Sequence, residues 1–278
     1  MANTRIIAFS NQKGGVGKTT SAVNVAASLA AAEYRVLLVD FDPQGNASSA
    51  LGIEARDLKP SSYEMLIQEA EPKDCVVKTE LSYLDLIPAN QELIGAEIEL
   101  VSALGREHRL KDALNTLKVN YDYILIDCPP ALGLLTVNAL VAAHGVIVPL
   151  QCEYFALEGL SQLMKTVELV KKFLNTNLEI EGILLTMFDR RNNLSHQVEN
   201  DVRSHFKELV LSTRIPRNVK LGEAPSHGKP IILYDISSPG ALAYMEAAQE
   251  LLARTQLKRT PPDGTKIEIN SNTSEVHP

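Results

Sequence analysis

The chain has 278 residues, of which 45% are hydrophobic and 22% are charged. A chain of this length can bury a sizeable core, and its ordinary share of charged residues excludes wholesale disorder. The formal net charge of −7 argues weakly against nucleic acid as a partner, although net charge does not describe a local basic patch.

Short apolar runs rich in β-branched residues alternate with helical patterns along most of the chain. The predicted strands are residues 6–10, 36–40, 84–88, 123–127, 146–150, 182–187 and 211–215. These runs are almost wholly apolar, which is typical of strands buried on both faces of a parallel sheet. The alternation of strand and helix predicts a doubly wound α/β fold, with a mostly parallel sheet and helices on both faces.

A single domain is predicted over residues 1–258, and a helix over residues 241–252 closes it. Residues 259–278 are polar and rich in turn-forming residues. Such a composition buries too little apolar surface to offset the entropy of ordering the chain. We therefore expect a disordered tail, to which no role is assigned.

Residues 13–20 read KGGVGKTT and follow the first predicted strand directly. A strand that ends in a glycine-rich turn and opens a helix presents a nest of backbone N–H groups, which binds phosphate. In the general phosphate loop the lysine reaches the β- and γ-phosphates and the next hydroxyl ligates Mg²⁺, which are roles for Lys18 and Thr19. Gln12 replaces the first glycine of that pattern, and Lys13 adds a second cation.

Two further predicted strands end in aspartate: one leads into Asp40 and Asp42, the other into Asp127. Ligands of open parallel sheets bind at the carboxyl ends of the strands. An apolar strand ending in aspartate is the Walker B arrangement, in which the carboxylate holds Mg²⁺ directly or through water. One such aspartate alone is more often a cap or turn residue. Together with the phosphate loop, the pattern predicts a site for a nucleoside triphosphate.

These motifs together resemble the deviant Walker A ATPases of the P-loop NTPase class, and within them the ParA/Soj group of chromosome- and plasmid-partitioning proteins. The resemblance extends from residue 6 to about residue 252 and includes TMFD at 186–189, IPRN at 215–218 and EAPSHGKP at 223–230. It implies an ATPase that converts ATP to ADP and phosphate, uses ATP and Mg²⁺ as cofactors, and forms a homodimer when ATP is bound.

The resemblance also implies roles for single residues. Lys13 would reach across a face-to-face dimer to the partner's bound phosphates, Lys18 would hold the β- and γ-phosphates, and Asp42 would orient the attacking water; these three are the predicted catalytic residues. Thr19 and, through water, Asp127 would hold the metal, with Asp40 as a neighbouring polar contact. Thr20 would cradle the α-phosphate, and Pro216 and Asn218 would border the adenine. The predicted nucleotide-binding residues are Lys13, Gly14, Gly15, Val16, Gly17, Lys18, Thr19, Thr20, Pro216 and Asn218.

Cations recur late in the chain, and ordinary solvated surface charge explains most of them. The resemblance implies that Arg191 and Lys220 belong to a surface that binds double-stranded DNA without sequence preference. Family members commonly have arginine at the second position, so Lys220 keeps the charge but loses the bidentate fork. The resemblance further implies a ParB/Spo0J-like partner protein that stimulates hydrolysis, and a cytoplasmic, nucleoid-associated location.

The closest alternative is a MinD-like, membrane-associated ATPase that positions cell division. Such proteins end in a basic amphipathic helix with bulky apolar residues, whereas residues 245–257 are rich in Ala and Glu and lack aromatics, so stable membrane anchoring is not expected. A metal-cluster ATPase has little support, because Cys75, Cys128 and Cys152 form no pair with ligand spacing. A small-molecule kinase or synthetase would have no evident use for Lys13.

Overall fold

The computed structural model of the protein describes residues 4–54, 58–117 and 121–258, and only the backbone of residues 256–258. The predicted tail, residues 259–278, lies outside the described residues. The strands are β1 (Arg5–Phe9), β2 (Val36–Asp40), β3 (Val77–Lys78), β4 (Leu84–Ile87), β5 (Tyr123–Asp127), β6 (Gly145–Gln151), β7 (Glu179–Phe188) and β8 (Val210–Pro216). The α-helices are α1 (Lys18–Ala31), α2 (Asn46–Ala50), α3 (Ser62–Ile67), α4 (Leu93–Glu99), α5 (Arg109–Thr116), α6 (Leu134–Ala142), α7 (Ala156–Phe173), α8 (Asn193–Phe206), α9 (Val219–Glu223), α10 (Ile231–Tyr234) and α11 (Pro239–Lys258).

The strands form one sheet in the order β3-β4-β2-β5-β1-β6-β7-β8. The short β3 runs antiparallel to β4, and the other neighbouring pairs are parallel. The first strand therefore lies in the middle, with later strands added on both sides of it. This arrangement confirms the predicted doubly wound, mostly parallel sheet.

Helices cover both faces of the sheet. Successive side chains of a strand point to opposite faces, so each strand contributes to two core clusters. In β1, Ile6 and Ala8 pack into one core cluster, and Ile7 and Phe9 pack into the other. Helices α3 to α8 contribute to the first cluster, and α1, α2, α10 and α11 to the second. The near-continuous apolar strands of the sequence are thus buried from both sides, as predicted.

Strand β7 begins at Glu179, earlier than the predicted start at residue 182. The difference comes from Glu181, a charge that interrupts the apolar pattern but is buried in the fold. Its carboxylate lies 2.5 Å from Nη2 of Arg5, and this ion pair lets the strand continue through the charged position. The two-residue β3 was not predicted, since so short an edge strand carries no recognisable pattern.

Helix α11 begins at Pro239 and reaches Lys258, so it is longer at both ends than the predicted 241–252. The Ser238 hydroxyl accepts the N–H of Ala241 at 3.2 Å, which caps the first turn, where proline is tolerated. Among the helices that the structure describes, none combines the length and apolar character needed to cross a bilayer.

Candidate nucleotide site

The predicted site residues converge because three strand ends are in register at the middle of the sheet. Phe9 at the end of β1 pairs with Asp127 at the end of β5, and Asp127 pairs with Asp40 at the end of β2. The loop after β1 therefore stands beside the aspartates that follow the two other strands. Lys18 interacts electrostatically with both Asp127 and Asp42.

The loop after β1 owes its path to glycine and to contacts with distant strands. Gly15 and Gly17 have φ values of 74° and 82°, in the left-handed region that favours glycine. The Asn11 side chain donates to the carbonyl of Pro149 at 2.7 Å and accepts the N–H of Lys13 at 3.0 Å. These contacts hold the loop in shape.

The start of α1 is built to receive an anion. Gly17 occupies the cap position and has no side chain to satisfy the first N–H groups of this 14-residue helix. The partial positive charge of the helix N-terminus adds to those free donors. Thr19 and Thr20 lie in the same first turn as these donors.

Lys18 is buried, and its Nζ donates to the carbonyl of Lys13 at 3.1 Å. Burial lowers the pKa of the ammonium, while the charges of Asp127 and Asp42 oppose that change. A poorly hydrated ammonium that is held inside the loop is well placed to bind phosphate oxygens.

Asp127 offers an unsatisfied carboxylate at the bottom of the site. It is fully buried, and neither oxygen has a hydrogen-bond partner of normal geometry among the described residues. Burial and the neighbouring Asp40 raise the pKa of Asp127 well above its usual range, which Thr19 and Lys18 partly oppose. An orphaned carboxylate of this kind fits a cation.

Magnesium suits this donor set. In nucleotide sites it usually takes one or two carboxylates, substrate phosphates and water, and does not require an all-protein cage. The described residues contain no group of three His, Cys, Asp or Glu side chains that could form such a cage. The Thr19 hydroxyl and the Asp127 carboxylate therefore fit a Mg²⁺ ion that arrives with a nucleotide.

The two aspartates after β2 have different surroundings. Asp40 is fully buried, and its Oδ2 accepts the N–H and the hydroxyl of Ser48 at 2.8 and 2.7 Å. Burial raises the pKa of Asp40 to about 7 in spite of these bonds. Asp42 keeps a small exposed area and accepts the N–H of Gln44 at 3.0 Å. Asp40 thus holds the loop in place, whereas the charge of Asp42 acts on the ammonium of Lys18.

Lys13 lies at the rim of the site. Its side chain is 43% exposed, and its ammonium pairs with the carboxylate of Glu153 in the same chain, just beyond the end of β6. The sequence prediction did not include Glu153; the available signal was an acidic residue at the carboxyl end of another predicted strand.

A cleft of about 220 Å³ opens beside the phosphate loop. Its lining brings the predicted Pro216 and Asn218 together with Gly17 and Thr20. Met187 in the same lining has φ of 48°, a strained conformation of the kind found at functional sites. The residues that line the cleft are Gly17, Thr20, Thr186, Met187, Ile215, Pro216, Arg217, Asn218, Leu221, Gly222 and Tyr244.

Thr186 is a second residue to which the sequence analysis gave no role. Its hydroxyl donates to the carbonyl of Val16 at 2.8 Å and so ties the phosphate loop to β7. The quoted TMFD segment was the available signal, but nothing in it indicated which loop it would touch.

Arg191 and Lys220 lie on the same carboxyl edge, beyond the ends of β7 and β8, and outside the cleft. Arg191 is highly exposed and forms an ion pair with Asp189 at 3.1 Å. Lys220 is partly exposed and pairs with Glu223 at 3.0 Å. Exposed pairs of this kind are worth little, so both cations can exchange their partners for phosphate.

Two other late cations have a structural role instead. Arg203 and Arg214 each place Nε 2.8 Å from the same carboxylate oxygen of Glu199, which is buried. They neutralise that carboxylate and bind α8 to β8. In contrast, the side chains of Arg190 and Arg217 are exposed. Arg190 directly precedes Arg191 in the chain, and Arg217 directly follows β8.

The cysteines have no exposed thiol. Cys75, Cys128 and Cys152 are free and buried. Burial raises the pKa of Cys75 and of Cys152 to about 12, and that of Cys128 even further. Such thiols stay protonated at neutral pH, which makes them poor metal ligands and poor nucleophiles.

Comparison with known proteins agrees with this geometry. A family model described as an AAA domain matches residues 4–180. The chromosome partitioning protein ParA of Myxococcus xanthus is 58% identical over 250 residues, which are 90% of this chain and 88% of that protein. The sporulation initiation inhibitor protein Soj of Bacillus subtilis is 59% identical over 249 residues, 90% of this chain and 98% of that protein. Among solved structures, cobyrinic acid a,c-diamide synthase of Mycobacterium smegmatis with bound ADP and magnesium is 41% identical, with a TM-score of 0.81 over 95% of this chain and all of that one.

Proposed function

This chain belongs to the ParA/Soj family of chromosome-partitioning ATPases, and on that premise we propose that it is a DNA-partitioning ATPase that works as an ATP-dependent dimer. In this proposal the ATP-bound protein dimerises and binds DNA without sequence preference. Hydrolysis returns it to the monomer and releases the DNA. A ParB-like partner protein stimulates that hydrolysis.

ATP and Mg²⁺ are the proposed cofactors. The free N–H groups at the start of α1 and the buried ammonium of Lys18 fit the phosphates of ATP. The cleft beside Pro216 fits its base. The M. smegmatis neighbour was solved with ADP and magnesium and also with an ATP analogue and magnesium, which supports ATP and Mg²⁺ here. Thr19 and Asp127 would hold the Mg²⁺ ion.

The proposed chemistry is direct attack of water on the γ-phosphate, without a covalent enzyme intermediate. Lys18 neutralises charge on the transferred group, and Asp42 orients the water from the side of β2. Thr19 and Asp127 would hold a Mg²⁺ ion, which would supply further charge neutralisation. Catalysis of this type rests on positioning and electrostatics and does not require a catalytic base with an unusual pKa.

One observation supports the proposed dimer: the phosphate loop has two lysines with different surroundings. Lys18 fills the nest of its own chain, whereas the ammonium of Lys13 is at the rim and pairs with the partly exposed Glu153. That exposed pair is weak and can exchange for a phosphate. A Lys13 that bridges to the nucleotide of a second subunit links dimerisation to the triphosphate, as an arginine finger supplied in trans does.

The DNA surface of the proposal consists of Arg191 and Lys220, which face solvent at one end of the carboxyl edge. They contact phosphates only, so binding does not depend on base sequence and weakens as salt rises. A dimer doubles the number of cations on one DNA segment. This explains how a chain with a net charge of −7 can still bind DNA.

The activity of the M. smegmatis synthase is not the one we propose here. The partitioning relatives are 58% and 59% identical to the chain, against 41% for the synthase. A synthetase also has no evident use for the rim lysine. Hydrolysis of ATP and retention on DNA without any small-molecule acceptor distinguish the two activities.

The decisive experiment measures retention of the protein on random-sequence DNA with ATP or ADP, at low and moderate salt. We expect strong retention with ATP that falls as salt rises, and little retention with ADP. Arg191→Glu should reduce ATP-dependent retention at least about tenfold, because it replaces an attractive phosphate contact with a repulsive one. Lys165→Glu changes the net charge equally at an exposed position on α7 and is the matched control.

Three results would contradict the proposal. Equal retention with ATP and ADP would show that no nucleotide switch operates. Equal loss in Arg191→Glu and Lys165→Glu would show that net charge, and not a defined surface, binds the DNA. ATP-dependent binding to anionic vesicles without binding to DNA would favour the MinD-like alternative.

A further inference from the structure

A stripe of exposed apolar side chains runs along α4 and the turn after it. It consists of Ile94, Ile98, Val101 and Leu104, of which Ile98 is 75% and Leu104 is 95% exposed. The spacing of the first three places them on one face of the helical segment. The opposite face packs into the core through Leu93, Ala96 and Leu100.

The stripe adjoins the nucleotide edge of the sheet. Helix α4 follows the carboxyl end of β4, and Oε1 of Glu97 accepts the N–H of Leu135 at 3.4 Å. Leu135 is in the first turn of α6, which follows the loop that leaves Asp127. A hydrogen bond therefore joins α4 to the helix that follows the loop after Asp127, the proposed metal ligand.

A second apolar patch lies on the other side of the phosphate loop. Tyr154 and Phe155 are mostly exposed and contact each other edge to face, with ring centroids 5.0 Å apart. They follow Glu153, the partner of Lys13, beyond the end of β6. Since β1 lies between β5 and β6, the phosphate loop lies between the two patches.

Isolated exposed apolar residues are ordinary, but apolar residues gathered on one edge indicate an interaction surface. A dimer held only by ATP and two Lys13 side chains would bury little area. Stable interfaces bury roughly 800 Å² on each partner and have an apolar centre with a polar rim. The two patches supply apolar area on the edge where the proposed dimer contact must form.

We propose that the α4 stripe together with Tyr154 and Phe155 forms the apolar part of the dimer interface, and that its occupant is a second copy of this chain. The inference rests on the ATP-dependent dimer proposed above. A two-fold contact is self-complementary, so the same patches are covered on both subunits. In this proposal dimerisation requires bound ATP, and the apolar surface sets the affinity of the two subunits for each other.

Ile98→Asp tests this inference, because the side chain contributes little to the monomer and would bring two charges into the interface. We expect the dissociation constant of the dimer, measured by light scattering with a non-hydrolysed ATP analogue, to rise at least about tenfold. Affinity of the monomer for the nucleotide should stay unchanged. Leu169→Asp, at an exposed apolar position far along α7, is the matched control and should dimerise like the natural protein.

The outcomes separate this inference from the function it rests on. If the natural protein does not dimerise with the analogue, the proposed function fails. If the natural protein and Ile98→Asp dimerise equally, the apolar interface is overturned while the proposed function stands. Leu104→Asp, at an almost fully exposed position, is a second variant that keeps the test valid should Ile98→Asp unfold at a lower temperature.

Discussion

At the scale of single residues, different surroundings give the identical side chains of Lys13 and Lys18 different roles. They belong to one loop, but Lys18 is buried beside Asp127 and Asp42, whereas Lys13 is at the rim with Glu153. A buried ammonium interacts strongly with charge because water does not screen it, and an exposed one is free to change partners. The two lysines can therefore be tested separately.

Lys13→Ala should abolish the ATP-dependent dimer and leave the monomer's affinity for ATP within about threefold of the natural value, since Lys18 and the helix N-terminus remain. Light scattering with the ATP analogue and titration with a fluorescent nucleotide measure the two quantities. Lys18→Ala is the contrasting variant and should lose nucleotide binding itself. Normal dimers of Lys13→Ala would rule out the role of this lysine across the interface.

At the scale of elements, the carboxyl end of α6 is held by a side chain from another part of the chain. Asn175 places Nδ2 2.7 Å from the carbonyl oxygen of Ala143, and 3.0 and 3.1 Å from those of Leu140 and Val141. The last carbonyls of a helix have no partner within the helix. One buried amide after α7 therefore joins two neighbouring helices on the same face of the sheet.

Asn175→Ala should lower the free energy of unfolding by about 2–3 kcal/mol, because it leaves buried carbonyl oxygens without a donor. Urea unfolding, followed by circular dichroism, measures the change. Asn177→Ala removes an amide at an exposed position two residues later and should change stability by less than about 0.5 kcal/mol. Equal effects of the two substitutions would contradict the capping role.

At the scale of the whole molecule, the central strand β1 is held by a hydrogen bond that requires His144 to be neutral. The Ile6 N–H donates to Nδ1 of His144 at 3.0 Å, and the His144 N–H donates to the carbonyl of Ile6 at 2.8 Å. Burial, followed by the charges of Arg5 and Lys111, lowers the pKa of His144 below its ordinary value of 6.5. Protonation of Nδ1 would break the bond from β1.

The free energy of unfolding should therefore fall as the pH drops below 6.5. In that range the unfolded chain binds a proton at His144 more readily than the folded chain does, so acid favours unfolding; above that range the contribution is constant. His144→Ala should lose about 1 kcal/mol near neutral pH and show a smaller further loss on acidification. Urea unfolding at several pH values measures both.

His205→Ala removes an exposed histidine of α8 and is the control, with the pH dependence of the natural protein expected to persist. If His144→Ala and the natural protein lose stability equally on acidification, another group is responsible for the pH dependence.

The sequence alone determined those features that depend on a short stretch of chain. The apolar strands, their burial on both faces and the phosphate loop follow from local pattern and backbone geometry, and the structure has them near the predicted positions. The same holds for the aspartates at the strand ends, since parallel strands bring their carboxyl ends to one edge. Only the strand order then had to be known to place Asp40 beside Asp127.

The tertiary structure decided which distant residues meet. Lys13 with Glu153, Asn11 with the Pro149 carbonyl and Thr186 with the Val16 carbonyl join positions 138 to 170 residues apart. Local periodicity does not encode such pairs, because they depend on the order of the strands and on the path of each loop. The exposed stripe on α4 has the same origin: its residues are as apolar as core residues, and only the packed fold shows which side of the helix remains uncovered.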